Sequence, residues 1–254
     1  MKSNDFSVLL QAFFTDYLIS QRQASEHTIS SYRDTFCLFL KFIKKRLKKE
    51  PSTVKIDDIT VDLIKDFLND LEKNRNISTR SRNQRLAAIH SCFHYAAFLY
   101  PERSSMIQRI LAIPHKKHYY PVVQFLTSDE INALLAVPDR TTWLGRRDYA
   151  LILLAIRTGL RVSELINLHW GDITLGSSSH VRCVGKGRKE RVTPITKKTA
   201  SIIKSWFNEN KPNNENLVFT NARKGKLSRD GFRYILKKHI KRASNNCVTL
   251  KRKI

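Results

Sequence analysis

The sequence predicts a mainly α-helical protein in two parts. An all-helical bundle occupies residues 1–105, a linker 106–121, and a mixed α+β domain with a small β-hairpin sheet 122–254. Three observations predict this architecture. Apolar residues recur at three- and four-residue spacing through most of the chain. Two short β-prone runs, 181–184 and 191–195, bracket the glycine-rich turn Gly185-Lys186-Gly187. Pro101, Pro114 and Pro121 punctuate the stretch between the two parts, which also carries the run His115-Lys116-Lys117-His118.

The elements follow in order. Leu9, Leu10, Phe13, Phe14, Tyr17 and Leu18 form one apolar stripe of a first helix ending near Arg22. Ser25 caps a second helix that buries Ile29, Tyr32, Phe36, Phe39, Leu40, Ile43 and Leu47 and stops at Pro51. Thr60 caps a third, with Leu63, Ile64, Phe67, Leu68 and Leu71 inward. Ser78 or Thr79 caps a fourth that runs through Leu86, Ile89, Phe93 and Ala97 to about Leu99. Four amphipathic helices in about a hundred residues make a small bundle. Beyond the prolines, Thr127-Ser128-Asp129-Glu130 reads as a capped helix start, and 148–156 as a buried, nearly continuous apolar helix. Ile202, Ile203, Trp206 and Phe207 mark another helix, 217–219 a short strand, and Phe232, Ile235, Leu236 and Ile240 a last helix. The tail 248–254 shows no partner element.

Composition narrows the function. Lys and Arg number 46 against 22 Asp and Glu, a formal charge of +24 that suits a polyanion binder. Residues 1–120 hold 20 basic and 12 acidic side chains and the remainder 26 and 10, so both parts are basic. A solubilising surface excess gives the same balance, so the motifs must decide between the two. Cys37, Cys92, Cys183 and Cys247 are widely spaced, with no C-x-x-C pair and no histidine at ligand spacing, which argues against a zinc site or a disulfide framework. The amphipathic start, with Gln11, Thr15 and Asp16 inside it, is unlike a signal peptide or membrane span, and a cytoplasmic location is expected.

Two places carry chemistry. Arg161 follows Gly159 directly after the buried helix, where a planar guanidinium can make two parallel hydrogen bonds to phosphate oxygens. Glu164, three residues on, can accept from that arginine and hold its orientation; an isolated R-x-x-E is otherwise an ordinary salt bridge at a helix start. Lys186 sits between two glycines at a hairpin tip that can approach a nucleic-acid backbone closely. An ammonium beside a scissile phosphate can protonate a leaving 5′-hydroxyl, whereas the plainer role is non-specific phosphate binding. Arg188, Lys189 and Arg191 are assigned to DNA backbone contact. A metal-dependent nuclease would need clustered carboxylates, and Asp129-Glu130, as a helix cap, is too little.

The order Thr158-Gly159-Leu160-Arg161-x-x-Glu164-Leu165, Leu168-x-Trp170-x-Asp172-Ile173 and Val184-Gly185-Lys186-Gly187-x-Lys189-x-Arg191-x-x-Pro194-Ile195 resembles the tyrosine recombinases, the phage integrases and Xer-like enzymes. The resemblance implies an N-terminal core-binding, SAM-like bundle that clamps duplex DNA opposite a catalytic domain. It places Thr28 and Tyr32 of Thr28-Ile29-x-x-Tyr32, and Arg80, Arg82 and Arg85 of the run 79–86, on DNA-facing helices. It further implies Arg161 and Lys186 as catalytic groups, strand breaking and rejoining through a 3′-phosphotyrosine with neither metal nor nucleotide cofactor, and double-stranded DNA as partner. The family's usual tetramer on DNA is implied too.

The sequence departs from that pattern after Arg242. His239-Ile240-Lys241-Arg242 spells the family's H-x-x-R but continues an amphipathic helix and lacks the second histidine, so it is read as a decoy. Tyr234 is the last tyrosine and precedes it, so no tyrosine here can be the nucleophile by order. The expectation is therefore a catalytic domain incomplete at its C-terminus, able to bind DNA but not to cleave it. The alternative is a non-catalytic DNA-binding regulator, or an inhibitor of an intact recombinase.

Overall fold

The computed structural model describes residues 5–119, 124–185, 189–210 and 213–253, with residues 251–253 described by backbone alone. The chain divides into two compact units, Met1–Pro121 and Val122–Ile254.

In the first unit, α1 (Phe6–Ala12) passes without interruption into a π-helical stretch, Phe13–Gln21, in place of the plain α-helix expected. Arg22 N–H closes it onto the Tyr17 carbonyl five residues back. The wider turns carry an aromatic group. Phe13 stacks on Tyr17 and on Tyr32, and meets Phe36 edge-on. Helices α2 (Glu26–Leu47), α3 (Val61–Arg75) and α4 (Thr79–Leu99) begin at Ser25, Thr60 and Ser78, and each cap side chain accepts an N–H from three residues on. Lys48 and Asn76, both left-handed, end α2 and α3. Phe6, Phe13, Phe39, Phe67 and Phe93 fill the core between them. Leu47, expected inside, is exposed in the last turn of α2.

The expected linker at 106–121 is corrected in its first half. Helix α5 (Ser104–Leu111) occupies it and buries Ile107 and Ile110 in the same core, with Ile113 following. The prolines misled because Pro101 starts a 3-10 turn, where its missing N–H costs nothing, rather than breaking a helix.

In the second unit, Thr127 and Glu130 form a reciprocal cap on α6 (Ser128–Ala136). Thr142 caps α7 (Trp143–Thr158), whose Leu151 and Leu154 are fully buried. Gly159 (φ +60°) ends α7, and the chain turns into α8 (Val162–Ile166). Strands β1 (Ile173–Thr174), β2 (His180–Val184) and β3 (Glu190–Pro194) form an antiparallel sheet in that order, with Cys183 opposite Arg191. The hairpin is as expected; β1 is an addition. Helices α9 (Lys197–Asn210) and α10 (Arg229–Ala243) complete the unit. Trp170, Val181, Ile203, Trp206, Phe219, Phe232 and Ile235 pack with α7 in one core.

Two further expectations change. Residues 217–219 form no strand of the sheet; Leu217 makes one isolated bridge to His169, and the Val218 N–H bonds the Leu168 carbonyl. The tail at 248–253 is a 3-10 turn, and its Leu250 is buried with Leu134, Ile152 and Ala243, so it does have a partner. No helix among the described residues is long and apolar enough to cross a membrane.

Candidate active site and nucleic-acid interface

The corner between α7 and α8 presents Arg161. Gly159 adopts φ +60°, a conformation that a side chain disfavours, and turns the chain so that Arg161 takes the N-cap position of α8. Glu164, one turn in, accepts the Arg161 backbone N–H on Oε2 and the Arg161 Nη1 on Oε1, both at 2.8 Å. A guanidinium has no lone pair to return, so the arginine caps nothing with its side chain. Its Nε and Nη2 carry no hydrogen bond among the described residues, and the side chain is 58% exposed while that of Glu164 is 6% exposed.

Glu164 has a second cation. Arg191 Nη2 reaches Glu164 Oε2 at 2.8 Å and the Gly159 carbonyl at 3.4 Å, and its Nε points at Cys183 Sγ at 3.2 Å. Burial pushes the Glu164 carboxyl upward, but the Arg161 N–H, its guanidinium and the Arg191 charge outweigh that and hold it below the usual carboxylate range. Arg191, assigned to DNA backbone contact from the sequence, thus has its Nε and Nη2 on three groups within the protein, while its side chain is 41% exposed.

The hairpin closes onto this corner. Gly185 donates its N–H to the Lys189 carbonyl at 2.8 Å. A Cβ placed on Gly185 would lie 3.3 Å from Glu164 Oε1 and 3.4 Å from Arg161 Nη1, so the bare glycine is packed against the Arg161–Glu164 pair. Lys189 is exposed. Lys186 and Arg188 lie outside the described residues.

The three arginines of α4 part ways. Arg80 is exposed. Arg82 is 5% exposed and donates to the Asn83 side chain and the Pro114 carbonyl, while Asn83 exchanges two hydrogen bonds with the Lys116 backbone. That pair pins residues 114–116 to α4, so Arg82 is corrected from a DNA contact to an internal clamp. Arg85 donates to the Ser31 carbonyl and Thr35 Oγ1, tying α4 to α2. Thr28 shares its hydroxyl with the Ser25 cap, and Tyr32 lies stacked and half-buried on Phe13.

The His239-x-x-Arg242 pair, read from the sequence as a decoy, turns its histidine inward. His239 is 3% exposed, and its Nε2 meets Asp148 Oδ2 at 2.8 Å. Arg147 holds the other oxygen of that carboxylate and the Thr220 carbonyl. Burial raises the Asp148 pKa, but His239 and Arg147 more than offset this and keep it low. This buried group was missed. The signal was present, since His239 falls on the Phe232–Ile235 stripe of α10 and Asp148 heads the apolar run 148–156 within α7.

Comparisons with known proteins show the family. A model described as the phage integrase family matches residues 124–251, and one described as the N-terminal SAM-like domain of phage integrases matches 12–98. The chain belongs to the phage integrase family of tyrosine recombinases. It is 50% identical over 243 residues to a Sinorhizobium fredii protein named as an integrase/recombinase, y4rC, covering 96% of this chain and 73% of that one. It is 30% identical over 250 residues to the tyrosine recombinase XerC of Pelotomaculum thermopropionicum, covering 95% and 78%. Among solved structures, a lambda integrase dimer bound to a COC′ core site shares the fold at a TM-score of 0.65 and 18% identity, covering 94% of this chain and 63% of that one. The Arg161 corner and the β2–β3 hairpin of this phage integrase family member both lie within the stretch its catalytic family model covers.

Proposed function

We propose that the chain serves site-specific DNA recombination, in which a strand is broken and rejoined through a 3′-phosphotyrosyl link, with Arg161 and Lys186 acting on the scissile phosphate. The observation that carries this reading is the Arg161 corner: a half-exposed guanidinium, held on one side by a buried carboxylate, keeps its Nε and Nη2 for an incoming anion. Two parallel N–H donors suit the non-bridging oxygens, and in a phosphoryl transition state such preorganised charge is worth several kcal/mol. Lys186, next to Gly185, supplies the proton for the leaving 5′-hydroxyl. Double-stranded DNA is the partner, and the +24 charge, with exposed Arg80 and Lys189, supplies backbone contacts.

The 254 residues themselves contribute the DNA grip and the Arg161 end of the site, but no nucleophile. Tyr234, their last tyrosine, stands on the exposed face of α10, before His239 in chain order. The test uses a labelled duplex carrying a nick that traps a covalent complex. The expected result is a retarded band that SDS disperses, weakened by Arg161→Ala. An SDS-stable adduct overturns the missing nucleophile, and failure to retard duplex at low salt overturns DNA binding.

A further inference from the structure

We infer that Arg191 is a positioning residue, which holds Glu164 so that Arg161 presents its free edge to phosphate, and that it does not itself touch DNA; this rests on the reading of Arg161 given above. Three observations carry it. The first is connectivity. Arg191 joins the carbonyl of Gly159 and the carboxylate of Glu164, both in the α7–α8 corner, to Cys183, its cross-strand neighbour on β2. One side chain thus fixes the hairpin to the corner that carries Arg161.

The second is charge. Alone, Glu164 would neutralise Arg161 and leave a pair with little pull on an anion. Shared between Arg161 on Oε1 and Arg191 on Oε2, the same carboxylate leaves the trio with a net positive charge. Arg161 is the more exposed member, at 58% against 41% for Arg191, and its Nε and Nη2 are where an anion meets that charge. The third is clearance. Gly185 lies so close to Glu164 and Arg161 that a shift of the hairpin would alter their spacing directly. Arg191 is the described side chain that ties β3 to the corner at that point.

The test is the affinity of the full chain for a fluorescein-labelled mixed-sequence duplex, followed against salt concentration by anisotropy. Arg161→Ala should lower the salt slope by about one phosphate contact. If it leaves slope and affinity unchanged, the reading of Arg161 fails, whatever Arg191 does. Given that loss, Arg191→Ala should weaken binding by a similar factor, roughly tenfold. The double variant Arg161→Ala/Arg191→Ala should then lose no further unit of salt slope relative to Arg161→Ala. A further loss and a second unit of slope in the double variant would make Arg191 a phosphate contact and overturn the inference, as would an Arg191→Ala protein that binds like the wild type.

Arg191→Lys separates the roles again and protects the test against an unfolded alanine variant. Lysine keeps a phosphate contact but cannot span Glu164, Gly159 and Cys183 together, so it should bind like Arg191→Ala. Recovery of wild-type binding by lysine counts against positioning. The Nε–Hε resonance of Arg161 in nitrogen-15 spectra should move in Arg191→Lys without DNA present, and an unmoved resonance also overturns it.

Discussion

At the scale of single residues, the site is organised around one carboxylate. Glu164 is nearly buried between two guanidiniums, and its pKa lies below the ordinary value of about 4.3. A carboxyl whose folded value is depressed contributes its stabilisation in full above the unfolded value and loses it as pH falls through the folded one. Glu164→Gln is therefore expected to destabilise the protein by about 2 kcal/mol at neutral pH, since an amide satisfies the arginines poorly. The gap between variant and wild type should close as pH drops below about 4. Urea unfolding at a series of pH values measures it, and a gap that persists into acid contradicts the assignment. The sequence made Arg161 and Glu164 legible because three-residue spacing at a helix start is local. It left the role of Arg191 hidden, because a cross-strand neighbour of Cys183 is found only once the register of β2 and β3 is known.

At the scale of elements, periodicity identified the helices that bury a continuous stripe, and Ser25, Thr60, Ser78 and Thr127 placed four of their starts. Short elements were harder. Helix α5 has eight residues and stands between prolines, so its two buried isoleucines look like loop composition until the core of the first unit is seen to need them. Ile110→Ala should cost about 3 kcal/mol of stability, as for any fully buried branched side chain cut back to alanine. A loss under about 1 kcal/mol in denaturant melts would return 104–111 to the status of a linker. Helix α10 gives a second case. His239→Ala leaves Asp148 buried with only Arg147 for company, and a broken buried pair typically costs about 3 kcal/mol. The thermal midpoint of the variant should fall accordingly, whereas a catalytic histidine on a surface would leave it unmoved.

At the scale of the whole molecule, electrostatics dominates. A chain of 254 residues at +24, with both units basic, should bind duplex DNA through many phosphates. Log affinity is then expected to fall steeply and linearly with log salt, by a slope of about −5 or steeper if six or more phosphates are engaged. Titration at several salt concentrations gives the slope, and a flat response would show that the charge serves solubility alone. The basic character was legible from composition, while its allocation among side chains was not. Arg82, Arg85 and Arg191 each donate to groups within the protein, so a count of arginines does not by itself measure the charge facing outward.

The N-cap of α8 sets two demands on one position. Helix starts favour serine, threonine, aspartate or asparagine, whose oxygens receive an orphan N–H and add about 1 kcal/mol. Position 161 holds an arginine, which cannot accept that bond, so the first turn of α8 is left half-capped on the side where the site is built. Arg161→Ser should restore that bond but take one of the two cations from the nearly buried Glu164 carboxylate, so the melting temperature should change little while the phosphate anchor is lost. Function would then be lost with stability nearly unchanged by a single substitution, as expected for a position kept for its chemistry rather than for the fold.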